Sequence, residues 1–185
     1  MGRENQSQID RDVHAIAKWL GDHSLKIALA ESCTAGLIAA SFGRLPGVSE
    51  VFCGSMVTYR ESEKVAWLSV SERILESHTA VSQPTSDAMC QQLLVATPEA
   101  GVALAITGHL GPIVEPKGDD LDNDGICFVS FALRTELGTD RGQNSFEGLQ
   151  RKKITLHSES RTERQFEAVA LALRFVVECI SKPLS

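Results

Sequence analysis

Ser32, Cys33 and Thr34 follow an apolar run, Ile27-Ala28-Leu29-Ala30, that stops abruptly. From Gly36 to Phe42 apolar residues recur with helical spacing. This order reads as a strand that delivers a nucleophile to the start of a helix. The first N–H groups of a helix have no intrahelical partner and carry partial positive charge. Such groups lower a nucleophile's pKa, bind an anion or stabilise an oxyanion. Ser32 is the first candidate nucleophile, although Ser32 or Thr34 also fits a helix N-cap, the commonest role of such residues there. Cys33 offers a thiol. A cysteine beside an apolar strand end is more often core packing, and no histidine stands at a recognisable distance from it.

A serine needs a base. His14, His23, His78, His109 and His157 complete no evident Ser/His/Asp set. Lys64 is the alternative. A lysine deprotonates a serine only when neutral, so its site must depress its pKa. Glu61 precedes Lys64 by three residues on a predicted helix, and a solvated ion pair accounts for the same two residues. Tyr59, the only tyrosine, stands at a predicted strand end, where it can relay a proton or cap the core. Thr107-Gly108-His109-Leu110-Gly111-Pro112 follows a predicted central strand, the place where α/β sheets bind ligands. It is neither a dinucleotide fingerprint nor a P-loop. Asp120-Leu121-Asp122-Asn123-Asp124-Gly125 matches the first half of a calcium loop, but loop position twelve is Phe131 in a predicted strand. A solvated acidic turn is the better reading, and no metal site is indicated.

The elements that position these residues interleave. Val13, Ile16, Ala17 and Leu20 have helical spacing, ended by Gly21. Strands are predicted over 26–30, 51–59 (with Gly54 as a bulge or a close approach), 102–106, 126–133 and near 153–157. Helices are predicted over 36–43, 61–68 and 72–77, from Ser82-Gln83-Pro84 to about Val95, and from Ser160 onward. Ser69 with Glu72 and Ser160 with Glu163 both match a capping box. Pro46-Gly47 reads as a turn, and 108–125 and 138–148 as polar loops. The expected fold is a single-domain α/β layered sandwich, with helices on both faces of a central sheet.

The chain has 185 residues, enough for one domain with a proper core. Net charge is −6 with no basic stripe, which argues against a nucleic-acid partner. A small phosphorylated ligand needs only one or two basic groups and stays open. No stretch nears the ~20 apolar residues of a membrane helix. The five cysteines are scattered without a C-x-x-C pair. That suggests reduced thiols and a cytoplasmic protein.

Together these pieces resemble the CinA C-terminal domain family, which includes stand-alone nicotinamide mononucleotide amidohydrolases. The family's A-E-S-C-T-G-G corresponds to Ala30-Glu31-Ser32-Cys33-Thr34-Ala35-Gly36. Pro46-Gly47, Phe52, Gly54, Val57-Thr58-Tyr59 and Lys64 fall at the spacings of its next motif, and Thr79-Ala80-Val81-Ser82 resembles its G-A-V-S. Thr107 to Pro112 resembles its T-G-x-x-G-P. The resemblance spans roughly residues 13–180.

The resemblance implies a hydrolase that converts a nicotinamide nucleotide's carboxamide to the acid and ammonia. Ser32 would be the nucleophile and Lys64 its base, with Tyr59 close by. N–H groups near Thr34, Ala35 and Gly36 would hold the oxyanion. Thr107, Gly108 and Arg161 would line the substrate site. No cofactor or metal is required, and the family suggests a homo-oligomer. Three departures stand out. Ala35 replaces the first glycine of the pair. The segment after Gly111-Pro112 is acidic instead of glycine-rich. Gln165 occupies the place of a second late arginine, with Arg164 one residue off and aimed elsewhere on a helix. They motivate an alternative: a non-catalytic paralogue acting as a nucleotide-binding or protein-interaction module.

Overall fold

The computed structural model describes residues 2–111, 124–134 and 148–181, with side chains from residue 5 onward. The predicted acidic turn apart from Asp124 and Gly125, and most of the predicted 138–148 loop, lie outside the described residues.

One five-stranded sheet organises the chain. Its strands are β1 (Ile27–Glu31), β2 (Phe52–Val57), β3 (Val102–Gly108), β4 (Ile126–Leu133) and β5 (Gln150–Thr155). They are ordered β2-β1-β3-β4-β5. β1 runs parallel to both β2 and β3, whereas β4 and β5 are antiparallel additions. The carboxyl ends of β1, β2 and β3 therefore lie side by side, with β1 in the middle.

Among the described residues six α-helices flank the sheet: α1 (Gly2–Asp22), α2 (Leu37–Gly43), α3 (Glu61–Ala66), α4 (Glu72–His78), α5 (Gln83–Ala96) and α6 (Arg161–Ile180). The central strands are apolar on both sides, but unequally. Ile27 and Leu29 of β1 and Val102, Leu104 and Ile106 of β3 join one core with α1, α2 and α6. Ala28, Ala30, Ala103 and Ala105 face the other core with α5. Side chains alternate across a strand, so a continuous apolar run sorts into a bulky face and a small one. The alanine face lets α5 approach until Cys90 Sγ and Ser86 Oγ each lie 3.5 Å from the Ala103 and Ala105 carbonyls.

The layered α/β reading holds, and several local expectations shift. α1 begins at Gly2, well before the apolar pattern. Its polar start is supported by spacing-four bonds from Gln6 to Asp10 and Gln8 to Asp12. β5 starts three residues earlier than expected, because this edge strand buries only Ile154 and its other members read as polar. The Ser69–Glu72 capping box does not form. Ser69 adopts φ 55°, and Ser71 is the N-cap with no side-chain bond. The Ser160–Glu163 box forms in full at the start of α6. The bulge at β2 is present: Ile27 pairs with Phe52 and Ala28 with Gly54, leaving Cys53 as the extra residue. Among the described residues no helix is long and apolar enough to cross a membrane.

Candidate active site

Ser32 leaves the sheet at the end of β1, between its two parallel neighbours. Its N–H donates to the Ile106 carbonyl of β3 over 3.1 Å, and the Glu31 carbonyl accepts from Thr58 N–H beyond β2 over 2.9 Å. The last peptides of β1 are thus held from both sides. A tight turn follows, with Ala35 at φ 52° and Gly36 at φ 91°. Left-handed backbone costs a residue with a Cβ roughly 1–2 kcal/mol, so glycine at 36 is fitting and alanine at 35 is strained.

Lys64 enters the same place from α3. Its side chain is fully buried. Nζ donates to the Thr58 carbonyl over 2.6 Å and lies 2.9 Å from Ser32 Oγ. Burial pushes its pKa from the ordinary 10.5 down to about 8, against weaker opposing attractions from Cys33, Glu61 and Glu63. The bland alternative, a solvated pair with Glu61, is not formed among the described residues. Lys64 points inward, and no ion pair there involves it.

Other predicted site residues are placed differently. Tyr59 is half exposed, and its hydroxyl accepts from Arg161 Nη2 over 2.8 Å; no bond to Ser32 or Lys64 is made. Arg161 Nη1 also donates to the Gly111 carbonyl over 3.2 Å. Arg161 thereby ties the chain after β2 to the chain after β3. Thr107 is buried, with its hydroxyl donated to the Ala80 carbonyl over 2.7 Å. At Gly108 a Cβ would lie 2.4 Å from Cys127 Sγ and 2.7 Å from the Ile126 carbonyl. Its glycine is explained by the close approach of β4. Cys33 is a core residue, its Sγ 3.9 Å from Cys127 Sγ.

The expected use of the α2 terminus needs correction. Ala35 N–H donates to the Ser32 carbonyl over 3.1 Å. Gly36, Ile38 and Ala39 N–H groups all donate to the Glu31 carboxylate, at 3.0, 3.1 and 2.9 Å. Thr34 Oγ1 donates there too, over 2.8 Å. An acidic side chain has taken the donors that the strand-turn-helix pattern assigns to a ligand. Ala35 and Gly36 amides are therefore unavailable, as is the Thr34 hydroxyl. The Cys33 and Thr34 amides have no acceptor among the described residues.

Two contributors escaped the sequence reading. Glu31 was visible only as an acidic residue closing an apolar strand. Gln165, on the first turns of α6, donates Nε2 to the Thr34 carbonyl over 2.9 Å. Arg164 turns away as expected, onto the Ser158 carbonyl and Asp124 at 2.8 and 3.0 Å. No group of three or more His, Cys, Asp or Glu side chains gathers among the described residues as a metal site.

Solved structures share this fold. The structure of competence damage-inducible protein A from Klebsiella pneumoniae superposes with TM-score 0.80 at 23% identity, covering 95% of this chain and 98% of that one. A competence/damage-inducible protein from Agrobacterium tumefaciens gives TM-score 0.77 at 26% identity, covering 93% and 95%. In sequence, a putative competence-damage inducible protein from Acetivibrio thermocellus is 38% identical over 128 residues, 69% of this chain and 29% of that protein. A CinA-like protein from Myxococcus xanthus is 45% identical over 86 residues, 46% of this chain and 20% of its own length. The chain thus spans a fifth to a third of these curated relatives. The model of the CinA C-terminal domain matches residues 10–178, and the chain belongs to that family.

Proposed function

We propose that this domain is a serine amidohydrolase acting on the carboxamide of nicotinamide mononucleotide or a closely related nucleotide. One observation carries the reading: a fully buried lysine amine, lowered to about pKa 8, stands 2.9 Å from a serine hydroxyl at the carboxyl end of β1. The substrate class rests on the family resemblance.

Neutral Lys64 gives an N–H to the Thr58 carbonyl and turns its lone pair to Ser32 Oγ. Oγ attacks the carboxamide carbon while its proton passes to Nζ. The amides of Cys33 and Thr34 supply donors for the oxyanion. The Lys64 ammonium then protonates the departing nitrogen, the C–N bond breaks and ammonia leaves an acyl ester on Ser32. Water attacks the ester and gives its proton to Lys64. Collapse releases the acid, and Oγ recovers its proton. Amide and water become acid and ammonia, with no step through a metal or cofactor. Arg161 uses two of its five N–H donors on Tyr59 and Gly111, leaving others to meet a substrate phosphate.

Incubation with nicotinamide mononucleotide should release ammonia, and Ser32→Ala and Lys64→Ala should each abolish release. Unchanged release by Ser32→Ala would overturn the mechanism. Tight binding without turnover would identify a nucleotide-binding module instead.

A further inference from the structure

We infer that Glu31 is a positioning residue for the Ser32 nucleophile, an inference that rests on the serine-hydrolase reading above. Its carboxylate is fully buried and makes no ion pair among the described residues. It accepts five hydrogen bonds: Oε2 from Thr34 Oγ1, Gly36 N and Ile38 N, and Oε1 from Ala39 N and from Ser55 Oγ over 3.1 Å. These donors come from the turn carrying the nucleophile, the first turn of α2 and the neighbouring strand β2. One side chain thus holds the strand end, the turn, the helix and the adjacent strand around a single point. Ser32 is the next residue along the chain.

The turn needs that support. Its backbone passes through two consecutive left-handed residues, one of them Ala35. A chain in that conformation relaxes readily unless its surroundings over-determine it. Relaxation would swing Ser32 Oγ away from Lys64, whose Nζ is bonded to the Thr58 carbonyl. By taking Gly36, Ile38 and Ala39, Glu31 also leaves the amides of Cys33 and Thr34, the two residues after Ser32, as the remaining donors. A plain helix cap would bond only to the helix. This carboxylate also bonds across to Ser55 and back to Thr34, inside the nucleophile's own turn.

The test reads Ser32 directly with a fluorophosphonate. Oγ attacks phosphorus, the P–F bond breaks, fluoride leaves and the proton passes to Lys64. In the unsubstituted protein the label should fall on Ser32 by peptide mass and be absent in Ser32→Ala. Glu31→Gln should lower the labelling rate by about 100-fold, the scale expected for a reacting atom misplaced by about 1 Å. The rise of that rate with pH should keep its midpoint near 8, because burial sets the Lys64 pKa and the Glu31 side chain makes no bond to Nζ. Thr34→Val and Ser55→Ala each delete one bond to the carboxylate, and each should slow labelling measurably at an intact circular dichroism spectrum. These two variants decide the matter if Glu31→Gln does not fold. Labelling within about threefold of the unsubstituted rate in the folded variants would overturn the positioning role and leave the hydrolase reading standing. Absence of label from Ser32 in the unsubstituted protein would remove the nucleophile, and both readings with it.

Discussion

The Thr58 carbonyl takes a hydrogen from Lys64 Nζ over 2.6 Å, while the N–H of the same residue bonds to the carbonyl of Glu31, just before Ser32. One residue thus joins the base to the strand that carries the nucleophile. Movement of α3 relative to the sheet is transmitted to both partners. The contact also orients the amine, because a hydrogen committed to Thr58 leaves the lone pair of neutral Lys64 for Ser32.

Activity should therefore follow the deprotonation of Lys64. With its pKa lowered to about 8, amide turnover at low substrate should rise tenfold per pH unit below 8 and level off above it. Lys64→Arg keeps the charge and loses the titration, so the rise should vanish along with at least ~100-fold of the rate. Steady-state kinetics from pH 6 to 9.5 check this. A profile whose midpoint sits near 6 would point to a different base.

The same group makes stability depend on pH, with a definite sign. Folded Lys64 releases its proton near pH 8, whereas the unfolded lysine holds it to its ordinary 10.5. Between these values the unfolded chain binds more protons, so stability rises with pH. Below about 8 both states are protonated, and the cost of the buried charge is constant. The gain across the whole window is on the order of 3 kcal/mol, of which roughly 2 kcal/mol falls between pH 7.5 and 10. Urea unfolding at pH 7.5 and 10 should show it, and Lys64→Met should remove that rise while leaving contributions from other groups.

Ala35 is exposed and left-handed, so its Cβ brings strain without burying apolar surface. Ala35→Gly should stabilise the fold by about 0.5–1 kcal/mol, the relief of strain less the added freedom of the unfolded glycine. The midpoint of thermal unfolding should rise by roughly 1–4 °C. A fall in that midpoint would show that the turn tolerates alanine without strain.

Legibility in the sequence followed the range of the interaction. The strands β1 and β3 are dense apolar runs, and α6 carries both its cap and its apolar face locally, so all three could be read directly. The pairing of Ser32 with Lys64 came from the family resemblance, because spacing alone left a helix cap and a solvated ion pair open. Their contact depends on Thr58 and on the depth of α3, which no local pattern encodes. Glu31 was missed because its meaning comes from five donors spread over residues 34–55, none of which is unusual alone. The resemblance implies that Tyr59 stands close to the dyad, yet its hydroxyl bonds to Arg161 instead. Tyr59 stands five residues before Lys64 and points away from it, whereas its neighbour Thr58 bonds to the amine.

That displacement gives the last prediction. A tyrosine relaying protons for the dyad would control kcat, but the Tyr59 hydroxyl is bound to Arg161 and half exposed. Its removal should therefore disturb Arg161 more than the chemistry at Ser32. Tyr59→Phe should raise KM several-fold with kcat within about threefold of the original, because lost uniform binding appears in KM alone. Arg161→Met should raise KM further, by ~10-fold or more if Arg161 meets a substrate phosphate through a charge-assisted bond. The double variant should resemble Arg161→Met alone, since Tyr59 acts by holding that guanidinium. A substrate lacking the phosphate should lose the Arg161 effect and keep the dependence on Lys64. A 100-fold fall of kcat in Tyr59→Phe with KM unchanged would restore the tyrosine to the dyad. Its hydroxyl would then have to exchange Arg161 for Ser32 or Lys64 when substrate binds.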